Sequence, residues 1–488
     1  MSLKEKCGVC GISCEKNAEF FLYKMLVQMQ HRGQLSAGIT TYHSQEPLIL
    51  KTHKDLGLVN NVFRAEHKGK FSSIMEQHSS KIGIGHVRYA TSGCDDKSYA
   101  QPFERMHGKK SKWFSFAFNG NIANYAELEK ELKKSNYHLI RETDTEILEH
   151  LLAKGLKDYE DPKVALAYLA EKADGAYCIS FVNAEGALIA ARDPHGIRPL
   201  AYSIEGNRIG FASETVALQS IGFTDFHDLP PGHMLVHKNG ETKVEAFCKP
   251  AKRAHCFFEW IYFAHPASVI EGKLVYDVRN KLGRELAKLE TQSIDKDCVV
   301  VPVPDSSTPA GEGFSDAIGV PLKEGLIRNR YLGRTFIESS SREDKVKDKY
   351  VVIRQLIEGK KVFLVEDSIV RGTTLRNLIE YIRRVGKPRE IHVRVACPPI
   401  KSPCFYGIDM SSKKQLIAGR EENYEQMIES VRKEIGSDTL IYQTFEGLYK
   451  SIGFDDKALC TGCISGSYPT PAGEKLKNFD GEGRACGR

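Results

Sequence analysis

Two stretches of this 488-residue chain carry residues whose types and spacing could do chemistry. The first, MSLKEKCGVCGISCEK, puts Cys7, Cys10 and Cys14 close together behind a short charged leader. Clustered thiols suit metal, redox or nucleophilic chemistry, and spacing alone does not choose among these. The second is VFLVEDSIVRGTTLRNLI. Its apolar run ends in Glu366 and Asp367, a polar loop follows through Ser368, Arg371, Gly372, Thr373 and Thr374, and Leu375, Leu378, Ile379, Ile382 and Val385 then recur at helical spacing, with Gly386 as the expected stop. A strand, loop and helix in that order aim backbone N–H groups and the positive helix end at an anion. No Gly-Lys-Ser/Thr sequence is present, so the loop is not of the Walker type. Paired carboxylates at a strand end suit diol hydroxyls or an oxygen-coordinated Mg2+. A phosphate on one side and a ribose diol on the other describe a sugar phosphate. A second strand end, VVPVPDSSTPAG, offers Asp305, Ser306 and Ser307.

Further candidates stand in the first half. GHVRYAT carries Arg88, FAFNGN carries Asn119 and Gly120, and RETDTE carries Asp144. An arginine fork matches a carboxylate and an aspartate suits an ammonium, so Arg88 and Asp144 could clamp the two ends of an amino acid. Asn119 and the Gly120 N–H could stabilise a tetrahedral oxyanion. Each also has a structural explanation: a surface ion pair for Arg88, a tight turn at residues 119–121, a helix N-cap for Asp144. Near the carboxyl end, ALCTGC is a C-x-x-C that fits zinc, redox or iron-sulfur roles equally well.

The elements that must position these residues fall into two kinds. Up to about residue 240, KIGIGHVRYA, WFSFAF, GAYCISFV and GALIAAR read as strands, and residues 18–30, 123–134 and 145–154 as helices. Strands in runs point to an α+β domain. After about residue 275, strands and helices alternate, and the apolar runs VVVPV and VFLV suit the doubly covered strands of a parallel sheet. The charged segment between Ser339 and Lys349 reads as a surface loop or a lid. No apolar run approaches the ~20 residues that cross a bilayer, and MSLKEK lacks the apolar core of a secretory signal, so no membrane is expected and a cytoplasmic location is. A net charge of +6 is small for this length and does not argue for nucleic acid. Thirteen cysteines, an odd number spread along the chain, argue against a disulfide framework.

In order along the chain, CGVCGI, HRGQLSAGI, GHVRYATSG, FNGNIANY and TDTE resemble the class II glutamine amidotransferase domain, and VFLVEDSIVRGTT resembles the phosphoribosylpyrophosphate (PRPP) motif of type I phosphoribosyltransferases. With RDPHGIRPL, FASETVAL, FEWIYFAHP, IRNRYLGRTFI and PCFYGID, they cover nearly the whole chain and resemble the glutamine PRPP amidotransferase family. The resemblance implies an N-terminal-nucleophile hydrolase sandwich (αββα) over residues 7–240, an α/β type I phosphoribosyltransferase domain over 241–488, and a propeptide, residues 1–6, whose removal frees the amine of Cys7. It implies that Cys7 attacks glutamine with its own α-amine as base, that Asn119 and Gly120 serve the oxyanion, and that Arg88 and Asp144 bind glutamine. Ammonia would then pass to C1 of PRPP, giving 5-phosphoribosylamine, glutamate and pyrophosphate in the first committed step of purine synthesis.

PRPP would rest on Asp305, Ser306, Ser307, Glu366, Asp367, Ser368, Arg371, Gly372, Thr373 and Thr374, with Mg2+ on Ser306, Glu366 and Asp367 and a closing loop at Arg330, Tyr331 and Arg334. One branch of the family holds a 4Fe-4S cluster on cysteines that here are Cys256, Cys404, Cys460 and Cys463, zinc being the rival occupant. A homodimer or homotetramer, with feedback by purine nucleotides, is implied likewise. Leu35, Phe118, Glu366, His265 and Ala267 depart from the family's usual residues. A PRPP-sensing regulator and an iron-sulfur oxidoreductase are the alternatives; the first would have to retain Cys7, Arg88, Asn119 and Asp144 without use, and the second lacks any flavin-binding segment.

Overall fold

The strand Gly8–Ser13, which follows Cys7 directly, is buried along its whole length. Side chains alternate between faces of a strand, and here Val9 enters one core while Cys10 and Ile12 enter another. That is the signature of a central strand covered on both sides. The structure, a computed structural model, describes residues 7–89, 96–329, 349–408, 410 and 412–477. In it Gly8–Ser13 pairs antiparallel with Ile82–Arg88 on one side and Arg208–Ala212 on the other, at the middle of a seven-stranded sheet. A six-stranded sheet built around Phe114–Ile122 and Gly175–Asn183 lies against it. Val9, Ile84, Ala117, Cys178, Leu188 and Phe211 fill the space between the sheets.

Helices cover the outer faces. Leu22, Met25 and Leu26 of Ala18–Gln28 pack on the first sheet. Ile147, Leu148, Leu151, Leu152 and Leu156 of Asp144–Tyr159 pack beneath the second. This helix starts where Thr143 accepts the Glu146 N–H at 3.3 Å, so Thr143 is the N-cap and Asp144 the first helical residue. The N-cap reading of Asp144 is therefore wrong, and its carboxyl is available for other work. The tight-turn reading of residues 119–121 fails as well, because the strand predicted to end at Phe118 continues in register to Ile122. The four layers make the αββα sandwich, and its edge hairpin runs on to Ala246, beyond the expected division at 240/241.

The second half is a parallel sheet in the order Cys298–Pro302, Lys361–Glu366, Glu390–Val395 and Thr439–Tyr442, with Leu322 bridging to Val300 on the other flank. The order therefore reverses between the first two named strands. In open α/β sheets ligands bind at the carboxyl ends beside such a reversal. The helices Val275–Ala287 and Thr308–Ile318 pack glycine to backbone: a Cβ on Gly283 would stand 1.9 Å from the Ala310 carbonyl oxygen, and one on Gly313 1.9 Å from that of Asn280. That close crossing fixes the start of Thr308–Ile318, and with it the loop at residues 305–307. The helix predicted to stop at Gly386 ends there in a wider final turn, with Lys387 at φ 50° reversing the chain. Among the described residues, no helix is long and apolar enough to cross a membrane. Arg330, Tyr331, Arg334 and most of the charged segment lie outside the described residues.

Candidate active sites and a four-cysteine pocket

Cys7 sits half-buried at the head of the central strand. The next residues are fixed by Ser213, whose hydroxyl accepts the Val9 N–H at 3.0 Å and the Asn119 amide N–H at 3.2 Å. One hydroxyl thus ties the strand behind the thiol to the proposed oxyanion strand. Gly120 has φ 154°, and a Cβ there would stand 1.9 Å from the Ala176 carbonyl oxygen, so no other residue fits. Arg88 closes the neighbouring strand and is buried, with its guanidinium 5.4 Å from the Tyr99 ring centre, so it is no surface ion pair.

Arg88 also lies within electrostatic reach of Asp144, which accepts a hydrogen bond from the Ile122 N–H. Desolvation pushes the Asp144 carboxyl up to about 7, against the pull of the Thr145 N–H and Arg88. A carboxyl in that state gains its full charge when a cation arrives. The structure therefore brings Cys7, Asn119, Gly120, Arg88 and Asp144 to one end of the sandwich.

At the switch point of the parallel sheet, Glu366 and Asp367 end their strand beside the 305–307 loop. Ser306 donates to Asp367 at 2.5 Å, Ser307 to Glu366 at 3.3 Å and Ser368 to Asp367 at 2.6 Å. Gly372, at φ 71°, turns the chain into the helix Thr373–Tyr381. Asp305 pairs with Arg328 at 2.9 Å and Arg371 with Gln415 at 2.6 Å. Burial, then the charge of Asp367, holds the Glu366 carboxyl well above the usual range.

Several residues that sequence reasoning gave no role stand around these sites. Arg279 donates to the carbonyls of Trp260 at 2.7 Å and Ala264 at 2.8 Å; burial lowers its pKa to about 10, against the attraction of Asp367 and Glu214. Tyr262, half-buried, feels Asp367 and Glu366 on one side and Tyr89, the neighbour of Arg88, on the other. Arg32, Arg198, Glu214 and Glu259 form a buried ion network. HRGQ, HGIR, ASET and FEWI held their only signal, as charged residues in otherwise apolar or glycine-rich segments.

Cys256, Cys404, Cys460 and Cys463 are all buried. Cys256 and Cys460 are partners in a short parallel pair, and the Lys401 and Ser402 N–H groups both donate to the Cys463 carbonyl at 3.0 Å. Desolvation raises the Cys463 thiol, and Cys404, Cys256 and Cys460 add to that rise, so the four share one pocket. Among the described residues, no three His, Cys, Asp or Glu side chains form a group that could hold a single metal ion. Cys10 and Cys14 are buried, with thiols pushed up by desolvation, to about 11 for Cys14. They are inert, as is the buried Cys178. Cys94 and Cys486 lie outside the described residues.

Residues 86–220 match the glutamine amidotransferase domain family, and residues 277–403 the phosphoribosyl transferase domain family. The chain is 42% identical to the amidophosphoribosyltransferase of Methanothermobacter thermautotrophicus, covering 100% of this chain and 99% of that one. It is 39% identical to that of Bacillus subtilis, covering 96% and 95%. The solved B. subtilis glutamine PRPP amidotransferase complexed with ADP and GMP superposes with a TM-score of 0.85 at 37% identity, over 96% of this chain and 98% of that chain. A structure described as the allosteric regulatory enzyme of purine biosynthesis gives a TM-score of 0.86 at 37% identity, over 96% and 97%. The sandwich is thus the N-terminal-nucleophile glutaminase fold and the parallel sheet the type I phosphoribosyltransferase fold, and the chain belongs to the amidophosphoribosyltransferase family.

Proposed function

We propose that this enzyme makes 5-phosphoribosylamine from glutamine and PRPP with Cys7 as the glutaminase nucleophile. Removal of residues 1–6 frees the Cys7 α-amine, whose ordinary pKa of about 7.7–8.0 suits it to take the thiol proton near neutrality. The thiolate adds to the side-chain carbonyl of glutamine while the Asn119 amide and Gly120 N–H groups receive the oxyanion. Collapse of the adduct expels ammonia, protonated by the same amine, and water then releases glutamate. Arg88 pairs with the glutamine α-carboxylate and Asp144 with its ammonium.

At the other site Glu366 and Asp367 hold the ribose hydroxyls, residues 368–374 hold the 5-phosphate, and Asp305, Ser306 and Ser307 face the pyrophosphate. Ammonia attacks C1 and pyrophosphate leaves. Mg2+, where bound, would be held by Ser306, Glu366 and Asp367 and would neutralise charge on the leaving pyrophosphate. The donor set fits, because Mg2+ ordinarily takes one or two carboxylates and completes its shell with substrate phosphates and water.

The four-cysteine pocket fits a 4Fe-4S cluster by its complement of thiols, and such a group would tie the terminal segment to the segments around Cys256 and Cys404. Zinc on the same four thiols is the rival occupant. Iron and sulfide analysis under anaerobic conditions separates the two. The ADP and GMP of the solved relative support regulation by purine nucleotides. A homodimer or homotetramer, a cytoplasmic location and a domain division just after the hairpin ending at Ala246 complete the reading.

The observation that carries the proposal is the double hold of Ser213 on Val9 and Asn119, which seats the residue after the thiol's neighbour and the oxyanion donor on one atom. Two measurements test it. Intact mass of active protein should show the loss of MSLKEK, and retention of the leader would overturn the Cys7 mechanism. Cys7→Ala should abolish glutamine-dependent product while keeping the ammonia-dependent reaction.

A further inference from the structure

The backbone of Cys7 is tied to a carboxylate from the segment that leads into the transferase half. Arg32, fully buried, donates from Nε to the Cys7 carbonyl at 2.9 Å. Its outer nitrogens fork onto Glu259, with Nη2 to Oε1 at 2.9 Å and Nη1 to Oε2 at 3.0 Å, and Nη1 also reaches Glu214 at 2.6 Å. Glu259 is 1% exposed and opens the segment Glu259–Phe263, which follows Cys256. A second buried guanidinium, Arg198, donates to the same Glu259 Oε1 at 3.0 Å. Its other N–H groups hold the carbonyls of Tyr406 at 2.9 Å and Gly407 at 2.6 Å, in the turn after Cys404.

This geometry has a mechanical content. A guanidinium is planar, and Nε can aim at the Cys7 carbonyl only when the opposite edge is fixed in the same plane. The contact to Glu214 is a single bond about which that plane can turn. The two-point fork on Glu259 removes the freedom. Building on the assignment of Cys7 as nucleophile, we propose that Glu259 is a positioning residue for it: the carboxylate from the transferase side sets the plane of Arg32 and, through it, the Cys7 backbone. The glutaminase site is then complete only when the two halves are docked. Glu259 touches neither substrate and acts through Arg32. A displacement of about 1 Å at a reacting group costs about 100-fold in rate.

The test uses the full chain as wild type, Glu259→Gln, Arg32→Lys and the double variant. Product formation is measured from glutamine and from ammonia, and the rate at which a diazoketone analogue of glutamine labels Cys7 is followed by intact mass. The expected result for Glu259→Gln is a fall of about 10- to 100-fold in kcat with glutamine. The KM for glutamine stays within about threefold, labelling slows by the same factor as kcat, and the ammonia reaction is retained. The double variant should be no slower than the slower single one, since both act through one contact. Labelling at the wild-type rate, an equal fall in both reactions, or additive losses would each overturn the proposal. Should Glu259→Gln not fold, Glu259→Asp keeps the charge and shortens the fork; the same selective loss supports the proposal and an unselective one overturns it. A wild-type chain that is not labelled at Cys7 fails the nucleophile assignment itself, a result distinct from any of these.

Discussion

Glu214 and Glu366 are both glutamates drawn away from water, one beside each site, and the protein keeps them in opposite states. Burial alone would raise the Glu214 carboxyl, but His31 at 2.8 Å and Arg32 at 2.6 Å hold it well below the usual range. Glu366 is also raised by burial, and its nearest charge, Asp367, raises it further. Glu214 has its counter-charges built into the fold. Glu366 accepts a hydrogen bond from Ser307 at 3.3 Å and has the Asp367 carboxylate beside it, and the charge of Lys349 offsets its rise only in part. A compensated carboxylate is part of the frame, whereas an uncompensated one at a cleft is ready for a diol or a cation that arrives with the substrate.

That contrast can be broken or sharpened by substitution. The largest effect is expected from Glu214→Gln, which leaves Arg32 with one charged partner fewer in a buried setting. Breaking such a pair costs about 3–5 kcal/mol, measured as a drop in the denaturant midpoint. Its pH dependence has a definite sign. The depressed carboxyl contributes stability that is present above about 4.5, the ordinary value, and is lost as pH falls through the folded value. Acid unfolding of the wild type should therefore be steeper than that of the variant.

Next in size is Asp367→Asn, expected to lower PRPP affinity by about 1.5–3 kcal/mol in titration calorimetry, the range for hydrogen bonds to a charged group. Asp144→Asn should raise the KM for glutamine about 10- to 100-fold with little change in the ammonia reaction. In the wild type, that KM should climb as pH falls through about 7, where Asp144 takes up its proton and can no longer pair with an ammonium. The variant should lack this limb.

The smallest effect, and the one of opposite sign, belongs to Glu366→Gln. A raised carboxyl is protonated in the folded state at pH values where the unfolded chain has already ionised, so its contribution to stability falls as pH rises above about 4.5 toward the folded value. Removing the charge should raise the thermal midpoint of the free enzyme at neutral pH by about 1–3 °C, while weakening PRPP binding. A loss of stability instead would mean that Glu366 is part of the frame after all.

Much of the transferase site was legible because it is local: Glu366 to Thr374 is one strand end, one loop and one helix start, and loop chemistry is written in consecutive residues. The glutaminase site was legible only in pieces. Asn119 reads as a turn because Asn-Gly-Asn is turn-like composition, and only pairing with Gly175–Asn183 makes it strand. Asp144 reads as an N-cap because aspartate favours that place, yet Thr143, one residue earlier, supplies the cap. The Arg32, Glu214, Glu259 and Arg198 network was invisible for a different reason. Its members lie far apart in sequence, and a lone buried charge has no periodic signature. The pairing of Cys256 with Cys460 is equally non-local, and only the family's pattern pointed to it.

The seam between the halves also has a consequence in time. Asn121 of the first domain donates to the Phe405 carbonyl at 2.9 Å, and Asp174 accepts the Ala472 N–H at 2.9 Å. During synthesis the sandwich emerges first and can fold as a unit, but these two side chains must wait until nearly the whole chain has been translated. A chain that ends before residue 405 therefore leaves Asn121 and Asp174 without these two partners, and that edge of the sandwich stays open to water.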